Sequence, residues 1–140
     1  MQLSDIIGEY GLIVKLDVSD LDKTRSWYTD KLGLKQDSRF DTSTWVQLFL
    51  PKLRAVAIGL NLDPAKAGKG NVTFVVDNIE KARDGLIRQG VEVGPIQTVV
   101  HDVRLAFFKD PEGNSLTLRQ NPSGQPTVSA IWQEAKDLLG

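Results

Sequence analysis

The chain has 140 residues, of which 41% are hydrophobic and 25% are charged, a size and composition typical of one globular domain with its own core. It carries 17 Lys and Arg against 18 Asp and Glu, which excludes the basic surface that nucleic acids and anionic membranes require. The lack of cysteine excludes disulfides and thiolate chemistry. The N-terminal MQLSDIIGEYG has no apolar run long enough for a signal peptide or membrane span, so we expect a cytoplasmic protein without nucleic-acid or membrane partners.

The first predicted elements are a strand, a helix and further strands. Apolar residues alternate over 12–18, which predicts a strand with one face covered. Ser19 or Asp20 then suits the N-cap of a helix over 21–32, which Gly33 ends. The segments TWVQLFL and RAVAIGLNL follow as strands, and DPAKAGKG is typical of a connection between modules.

The second half repeats this order. The segment VTFVVDNIEKARDGLIRQGV from Val72 aligns with VKLDVSDLDKTRSWYTDKLGL from Val14, and such self-similarity indicates a repeated structural unit. Asp77 and Glu80 have the spacing of a capping box for a helix over 78–89. The strands VRLAFFK and NSLTLRQ follow, joined by the sequence DPEG, which favours a type I turn and hence a β-hairpin.

The last stretch, TVSAIWQEAKDLL, carries an apolar stripe at helical spacing, formed by Val128, Ile131, Trp132, Ala135 and Leu138. We expect a C-terminal helix whose apolar face docks either on its own domain or on a second chain.

Three features together resemble the vicinal oxygen chelate superfamily, which includes glyoxalase I, bleomycin-resistance proteins and extradiol dioxygenases. They are VSDLDKTRSWYTDKLGLK after a first strand, the repeated strand-helix unit, and FFKDPEGNSLTLRQ at the end of the second copy. The resemblance covers about residues 10–120 and implies a single α+β domain of two βαβββ modules whose curled mixed sheets surround a cavity. Module one would span 10–61, the connection 62–70, module two 71–120, and the C-terminal extension with its helix 121–140.

In metal-dependent members, strand positions supply the ligands, and the resemblance places them at Ile13, Asn71, Thr117 and either Ala57 or Gly59. None of these residues has a carboxylate or an imidazole, the donors that such metals take. We therefore expect no metal at the usual site and no cofactor. The single histidine, His101, precedes a strand, and it is interpreted either as an exposed edge residue or as an acid or base.

Strand alternation predicts which side chains line the cavity. If Leu12, Val14, Leu16 and Val18 pack under the helix, the opposite face of that strand holds Ile13, Lys15 and Asp17. The same alternation assigns to the cavity Asn71, Thr73, Val75, Ser115, Thr117 and Arg119. On TWVQLFL the side with Trp45, Gln47 and Phe49 suits a pocket for a flat or apolar ligand, whereas Val46, Leu48 and Leu50 suit the core.

Among these residues Lys15 and Asp17 are candidates for acid/base or anchoring work, with His101 as a third member. The alternative is a solvated ion pair at the rim of the sheet. Arg119 can anchor an anion through its planar guanidinium, or it forms a surface ion pair. The remaining candidate ligand-binding residues are Ile13, Trp45, Gln47, Phe49, Asn71, Thr73 and Thr117.

Three functions remain open from the sequence. The first is a metal-independent protein of the bleomycin-resistance type, which binds an aromatic or polar natural-product-like small molecule and forms a homodimer. The second is a metal-free isomerase, lyase or cyclase that uses Lys15 and Asp17 as acid and base. The third is a glyoxalase- or dioxygenase-like metalloenzyme with atypical ligands.

Overall fold

A computed structural model describes residues 2–122, 133 and 136–138. The chain divides into a first unit, Met1–Asn71 with Asp110–Asn114, and a second unit, Val72–Lys109 with Ser115–Gly140. Each unit contains a four-stranded sheet and a helix that follows its first strand, which confirms the predicted α+β fold. Within the described residues, no helix is long and apolar enough to cross a membrane.

The first unit contains strands β1 (Leu12–Val18), β2 (Lys35–Gln36), β3 (Trp45–Leu50) and β4 (Leu53–Leu62), with helix α1 (Leu21–Leu32) after β1. Their order in the sheet is β1-β4-β3-β2. Strands β1 and β4 are parallel, and the other two pairs are antiparallel. Short 3₁₀ turns lie at Leu3–Asp5 and Ser38–Phe40.

The core of the first unit lies on the face of its sheet that α1 covers. Alternate residues of three strands are buried there: Leu16, Val18, Val46, Leu48, Ile58 and Leu60. The sequence pattern predicted this face, but Leu12, which it also assigned to the covered side, is 64% exposed. Tyr28 of α1 is fully buried, and its hydroxyl donates a 2.7 Å hydrogen bond to Asp110. A buried phenol keeps this position only where its hydroxyl has a partner, so the Asp110 turn is part of this core.

Helix α1 begins and ends as predicted. Asp20 is its N-cap and accepts a 3.0 Å hydrogen bond from the backbone of Lys23. Gly33 ends it with φ of 73°, a left-handed conformation in which glycine lacks the steric penalty of other residues. Glu112, in the DPEG turn, adds a second cap. Its carboxylate accepts from the backbone N–H groups of Ser19 (2.8 Å) and Asp20 (2.9 Å).

Apart from Asn71, which falls in the first unit, the second unit contains β5 (Asn71–Val75), α2 (Ile79–Arg88), β6 (Gln97–Thr98), β7 (Arg104–Lys109) and β8 (Ser115–Gln120), with the strands in the order β5-β8-β7-β6. Its core includes Ile79, Ala106, Phe108, Leu116 and Leu118. The predicted capping box at Asp77 is wrong by one residue, because Asn78 is the N-cap and accepts from the backbone of Lys81. Asp and Asn cap helices about equally well, so the sequence did not discriminate between them.

The predicted hairpin between β7 and β8 is confirmed. The two strands pair from Arg104↔Gln120 to Lys109↔Ser115, and the backbone of Gly113 donates to the carbonyl of Asp110 at 3.0 Å. The predicted C-terminal helix is helical at the described residues 133 and 136–138. Of its predicted apolar stripe, Leu138 is exposed, and Val128, Ile131, Trp132 and Ala135 lie outside the described residues.

Candidate functional site

The first sheet has a second face, which points away from α1 and is called the distal face below. Strand register arranges it in rows across β1, β4 and β3. These rows are Ile13–Ala57–Phe49, Lys15–Gly59–Gln47 and Asp17–Asn61–Trp45. The candidate residues predicted from the first module therefore share one continuous surface, and β4 contributes small side chains in its middle.

Trp45 covers the centre of this face. A Cβ atom built on Gly59 would lie 2.1 Å from two atoms of the six-membered ring of Trp45, so the indole occupies the space of the missing side chain. The indole Nε1 donates a 3.2 Å hydrogen bond to Oε1 of Gln47, whose side chain is 5% exposed. The tryptophan is therefore fixed by packing on one side and by a buried amide on the other.

Lys15 and Asp17 do come together. Nζ of Lys15 lies 3.5 Å from Oδ1 of Asp17, with side chains 52% and 16% exposed. Oδ1 of Asp17 also accepts a 3.0 Å hydrogen bond from the amide of Asn61. The Asn61 amide, followed by the Lys15 charge, lowers the pKa of Asp17 against the opposing effect of burial. Asp17 is therefore held as a carboxylate.

Tyr10, which no sequence pattern marks, lies at the Phe49 end of the distal face. Its ring centroid is 6.3 Å from that of Phe49 and 6.2 Å from that of Phe40. Its hydroxyl donates a 2.7 Å hydrogen bond to Asp37. Burial, followed by the hydrogen bond to Asp37, raises the pKa of this phenol, so the hydroxyl remains a donor at neutral pH.

Two arginines stand at the same end, and they also were not predicted. Arg39 donates two hydrogen bonds to Asp37, from Nε at 2.9 Å and from Nη2 at 2.6 Å. Hydrogen bonding by the Arg39 side chain is the main cause of the lowered pKa of Asp37. The guanidinium of Arg54 lies 4.7 Å from the ring centroid of Phe49. No strand periodicity marks Tyr10 or Arg39, because both lie outside the strands.

The candidate residues predicted on the second sheet share fewer contacts with one another than those on the first sheet. Asn71 and Thr73 are exposed on β5. Thr117 pairs across the ladder with Phe107, which is 47% exposed. Arg119 donates from Nε to Oδ1 of Asn121 at 2.8 Å, a neighbouring partner that leaves its anchoring role a hypothesis.

His101 lies in a tight turn just before β7. His101 and Asp102 have φ of 63° and 60°, the left-handed values that a primed hairpin turn requires. The turn connects β6 to β7, which pair at Thr98↔Arg104. His101 is exposed at its tip and belongs to the second unit, whereas Lys15 and Asp17 belong to the first.

The side chains at the superfamily's metal-binding positions do not fit a divalent metal. In the first unit Ile13 pairs with Ala57, and Gly59 is covered by an indole. Asn71 and Thr117 offer only neutral oxygens. Among the described residues, no group of three or more His, Asp and Glu side chains is placed to hold a metal ion.

A separate polar pocket of about 610 Å³ lies on the α1 side of the first sheet. Its lining includes Asp20, Asp22 and Arg25 of the α1 N-terminal region, Gln36 of β2, and Asp41. The amide of Gln36 is already bound to both oxygens of Asp41, at 2.9 and 3.0 Å. This pocket contains none of the predicted site residues.

Comparison with known proteins identifies the fold. Residues 12–118 match the family model described as Glyoxalase/Bleomycin resistance protein/Dioxygenase superfamily. An integron cassette protein from the mobile metagenome of the Halifax Harbour sewage outfall is similar, with a TM-score of 0.70 and 24% identity over 78% of this chain and 96% of that one. No curated protein matches.

Two further solved structures have the same fold with different roles. TnmS3, an antibiotic-binding protein from Streptomyces sp. CB03234, has a TM-score of 0.68 and 23% identity over 79% of this chain and 93% of that one. Lactoylglutathione lyase from Agrobacterium tumefaciens has a TM-score of 0.66 and 16% identity over 78% of this chain and 91% of that one. At these identities the likeness concerns the fold alone.

Proposed function

Since this chain belongs to the Glyoxalase/Bleomycin resistance protein/Dioxygenase superfamily, we propose that it is a metal-independent small-molecule-binding protein. Its ligand is an aromatic or polar compound of natural-product type, which binds on the distal face of the first sheet. The Trp45 contact with Gly59 is the observation that carries this proposal, because it puts a large fixed aromatic surface at one of the two residues, Ala57 and Gly59, between which the family resemblance leaves a metal-ligand position.

The chemistry of the distal face supports an aromatic ligand. Trp45 and Phe49 provide apolar area at two ends of β3, with the buried Gln47 between them. Rigid aromatic side chains give large contact area with little loss of conformational entropy, and a few polar groups orient the ligand. That TnmS3 binds an antibiotic on a similar fold is consistent with this use, although the fold itself does not determine function.

A metal-free enzyme is the second candidate. The 3.5 Å ion pair of Lys15 and Asp17 on the distal face favours it. The lowered pKa of Asp17 opposes it, because a general base works best with a pKa near the operating pH. A metal-dependent enzyme would need ligands away from the superfamily positions, which carry no carboxylate or imidazole.

The proposal is tested by titrating the EDTA-treated protein with 2-naphthol, a neutral planar probe, by isothermal calorimetry. Trp45→Ala is expected to weaken binding by about tenfold or more, since a buried aromatic contact contributes more than 1 kcal/mol. Trp27→Ala, on α1, is the matched control and is expected to leave the affinity within about twofold. Equal loss in both variants, or no binding by the wild type, would contradict the proposal.

The proposal extends to a homodimer in the cytoplasm. The edge strand β1 supports the dimer, because Leu12 and Ile13 on it are 64% and 46% exposed, and an exposed apolar edge favours association. Light scattering on the purified protein measures its molar mass in solution. The mass of a monomer at all protein concentrations would contradict the proposed homodimer. Fractionation of the native cells checks the location.

A further inference from the structure

The chain crosses its own candidate binding surface just before the first strand. Gly11 leads into β1 at one edge of the first sheet, whereas Asp37 follows β2 at the other edge. Tyr10 joins these edges, because its hydroxyl binds Asp37 at 2.7 Å while its ring lies near Phe49. Tyr10 therefore covers the Phe49 end of the distal face.

The residue before Tyr10 brings a carboxylate to the same place. Glu9 accepts hydrogen bonds from Arg39 (3.2 and 3.3 Å) and from Arg54 (3.1 Å). One carboxylate thus bridges two guanidinium groups beside an aromatic ring. Planar guanidinium groups match the geometry of a carboxylate, so the two arginines form a receptor for such a group.

Neither arginine depends on Glu9 for its position. Arg39 is held by Asp37 through two hydrogen bonds, and the Asp37 side chain is 8% exposed. Arg54 stacks over Phe49 at 4.7 Å. If Glu9 left, both cations would remain directed toward the same space.

The contacts of Glu9 are also the weakest part of this cluster. The side chains of Glu9, Arg39 and Arg54 are 49%, 59% and 53% exposed in these pairs. Ion pairs this exposed to solvent contribute little to stability. An external carboxylate can therefore replace Glu9 at small cost.

We propose that Glu9 and Tyr10 form an internal mimic of the ligand, and that the distal face takes a flat aromatic compound that carries a carboxylate. The carboxylate of the ligand replaces that of Glu9 between Arg39 and Arg54, and its ring takes the place of Tyr10 against Phe49. This inference rests on the proposed function, and it adds the chemical class of the ligand and an intramolecular competitor for the site.

The test compares 2-naphthoate with 2-naphthalenemethanol, a neutral probe of similar shape, by calorimetry at pH 7 and low salt. Glu9→Gln removes the competing charge and is expected to raise the affinity for 2-naphthoate by about fivefold or more. The affinity for 2-naphthalenemethanol is expected to change by less than about twofold. Arg54→Met is expected to abolish the preference for the acid. Arg88→Met, an exposed arginine on α2, controls for net charge and is expected to preserve that preference.

The outcomes separate this inference from the proposed function. If both probes bind the wild type equally and Glu9→Gln changes neither affinity, the inference is wrong while small-molecule binding on the distal face stands. If Glu9→Gln weakens both probes, the N-terminal segment is a wall of the site and not a mimic, which also overturns the inference. If neither probe binds any variant, the proposed function falls together with it.

Discussion

The six-membered ring of Trp45 fills the space that a side chain on Gly59 would occupy. This relationship joins the two middle strands of the first sheet, since β3 and β4 are antiparallel neighbours. The family resemblance placed a metal-ligand position at Ala57 or Gly59. In this chain an indole covers Gly59, and this aromatic surface is the basis of the proposed binding site.

Gly59→Ala tests this contact directly. A methyl group 2.1 Å from the indole atoms must displace the ring, which breaks the bond from Trp45 to Gln47. We expect a loss of about 1–3 kcal/mol of unfolding free energy from overpacking, measured by urea denaturation. Gly85→Ala is the control, because nothing lies within 4 Å of a Cβ there, and it is expected to be neutral or stabilising by up to about 1 kcal/mol. Equal effects of both changes would disprove the packing argument.

Glu112→Gln tests the second cap on α1. The variant loses the charge that accepts from Ser19 and Asp20, and we expect a loss of about 0.5–2 kcal/mol, the usual range for a cap. Glu92→Gln, an exposed carboxylate in the second unit, should change the unfolding free energy by less than about 0.5 kcal/mol. A Glu112 variant as stable as this control would show that the contact contributes nothing.

The contribution of Glu112 is expected to depend on pH. Partial burial raises the pKa of this carboxyl, but the hydrogen bonds from Ser19, Asp20 and Thr24 together hold it below the ordinary 4.5. A lowered folded-state pKa gives stability that is fully present above the unfolded value and is lost as pH falls through the folded value. The stability difference between wild type and Glu112→Gln should therefore shrink as pH falls below about 4.5. A constant difference from pH 7 to pH 2 would contradict the linkage.

Tyr28→Phe tests the contact between α1 and the DPEG turn. The fully buried hydroxyl donates to Asp110, which is 5% exposed. Its removal leaves Asp110 with one fewer donor, so we expect a loss of about 1–3 kcal/mol in urea denaturation. The same change in an Asp110→Asn background should cost less if the two residues are coupled. Strictly additive losses would show that they act independently.

Metal removal is expected to have no effect on ligand binding. Natively purified protein should contain less than about 0.1 mole of Zn, Ni, Fe and Mn per chain, since the superfamily positions lack donors for these ions. Dialysis against EDTA should leave the affinity for 2-naphthol unchanged. A content near one mole per chain, with binding lost after EDTA, would show that other residues form a metal site.

Lys15→Met and Asp17→Asn separate binding from catalysis. If Lys15 and Asp17 form only an ion pair at the rim, each change should alter the unfolding free energy by less than about 1 kcal/mol. Compounds that bind the protein should then stay chemically unchanged in its presence. The binders would come from a thermal-shift screen of aromatic natural products, and mass spectrometry would examine them after incubation. A product made by the wild type but not by Asp17→Asn would establish the enzyme.

The sequence predicted the strand faces because burial follows simple alternation. Leu16 and Val18 are buried, whereas Ile13, Lys15 and Asp17 share the opposite face. It did not predict the role of Glu112, since a turn sequence specifies local backbone geometry and says nothing about a contact with Ser19, far along the chain. Long-range contacts of this kind depend on how the elements pack, which residue spacing does not record.

The same limit applies to the N-terminal segment. Glu9 and Tyr10 belong to no periodic pattern, and they matter only because the chain passes over the sheet toward Asp37 and Arg39. The exposed position of His101 agrees with one of the two interpretations of the sequence. The left-handed φ values of His101 and Asp102 were not predicted, because they depend on the hairpin in which these residues form the turn.

The most direct test of the central claim is a ¹H–¹⁵N correlation spectrum of the EDTA-treated protein, titrated with 2-naphthol. We predict saturable shifts of the Trp45 indole N–H, the Gln47 side-chain amide and the backbone amides of Phe49 and Gly59, with the α1 amides unaffected. Shifts confined to other regions, or shifts that appear only after Zn²⁺ or Ni²⁺ is added, would contradict a metal-independent binding site on the distal face.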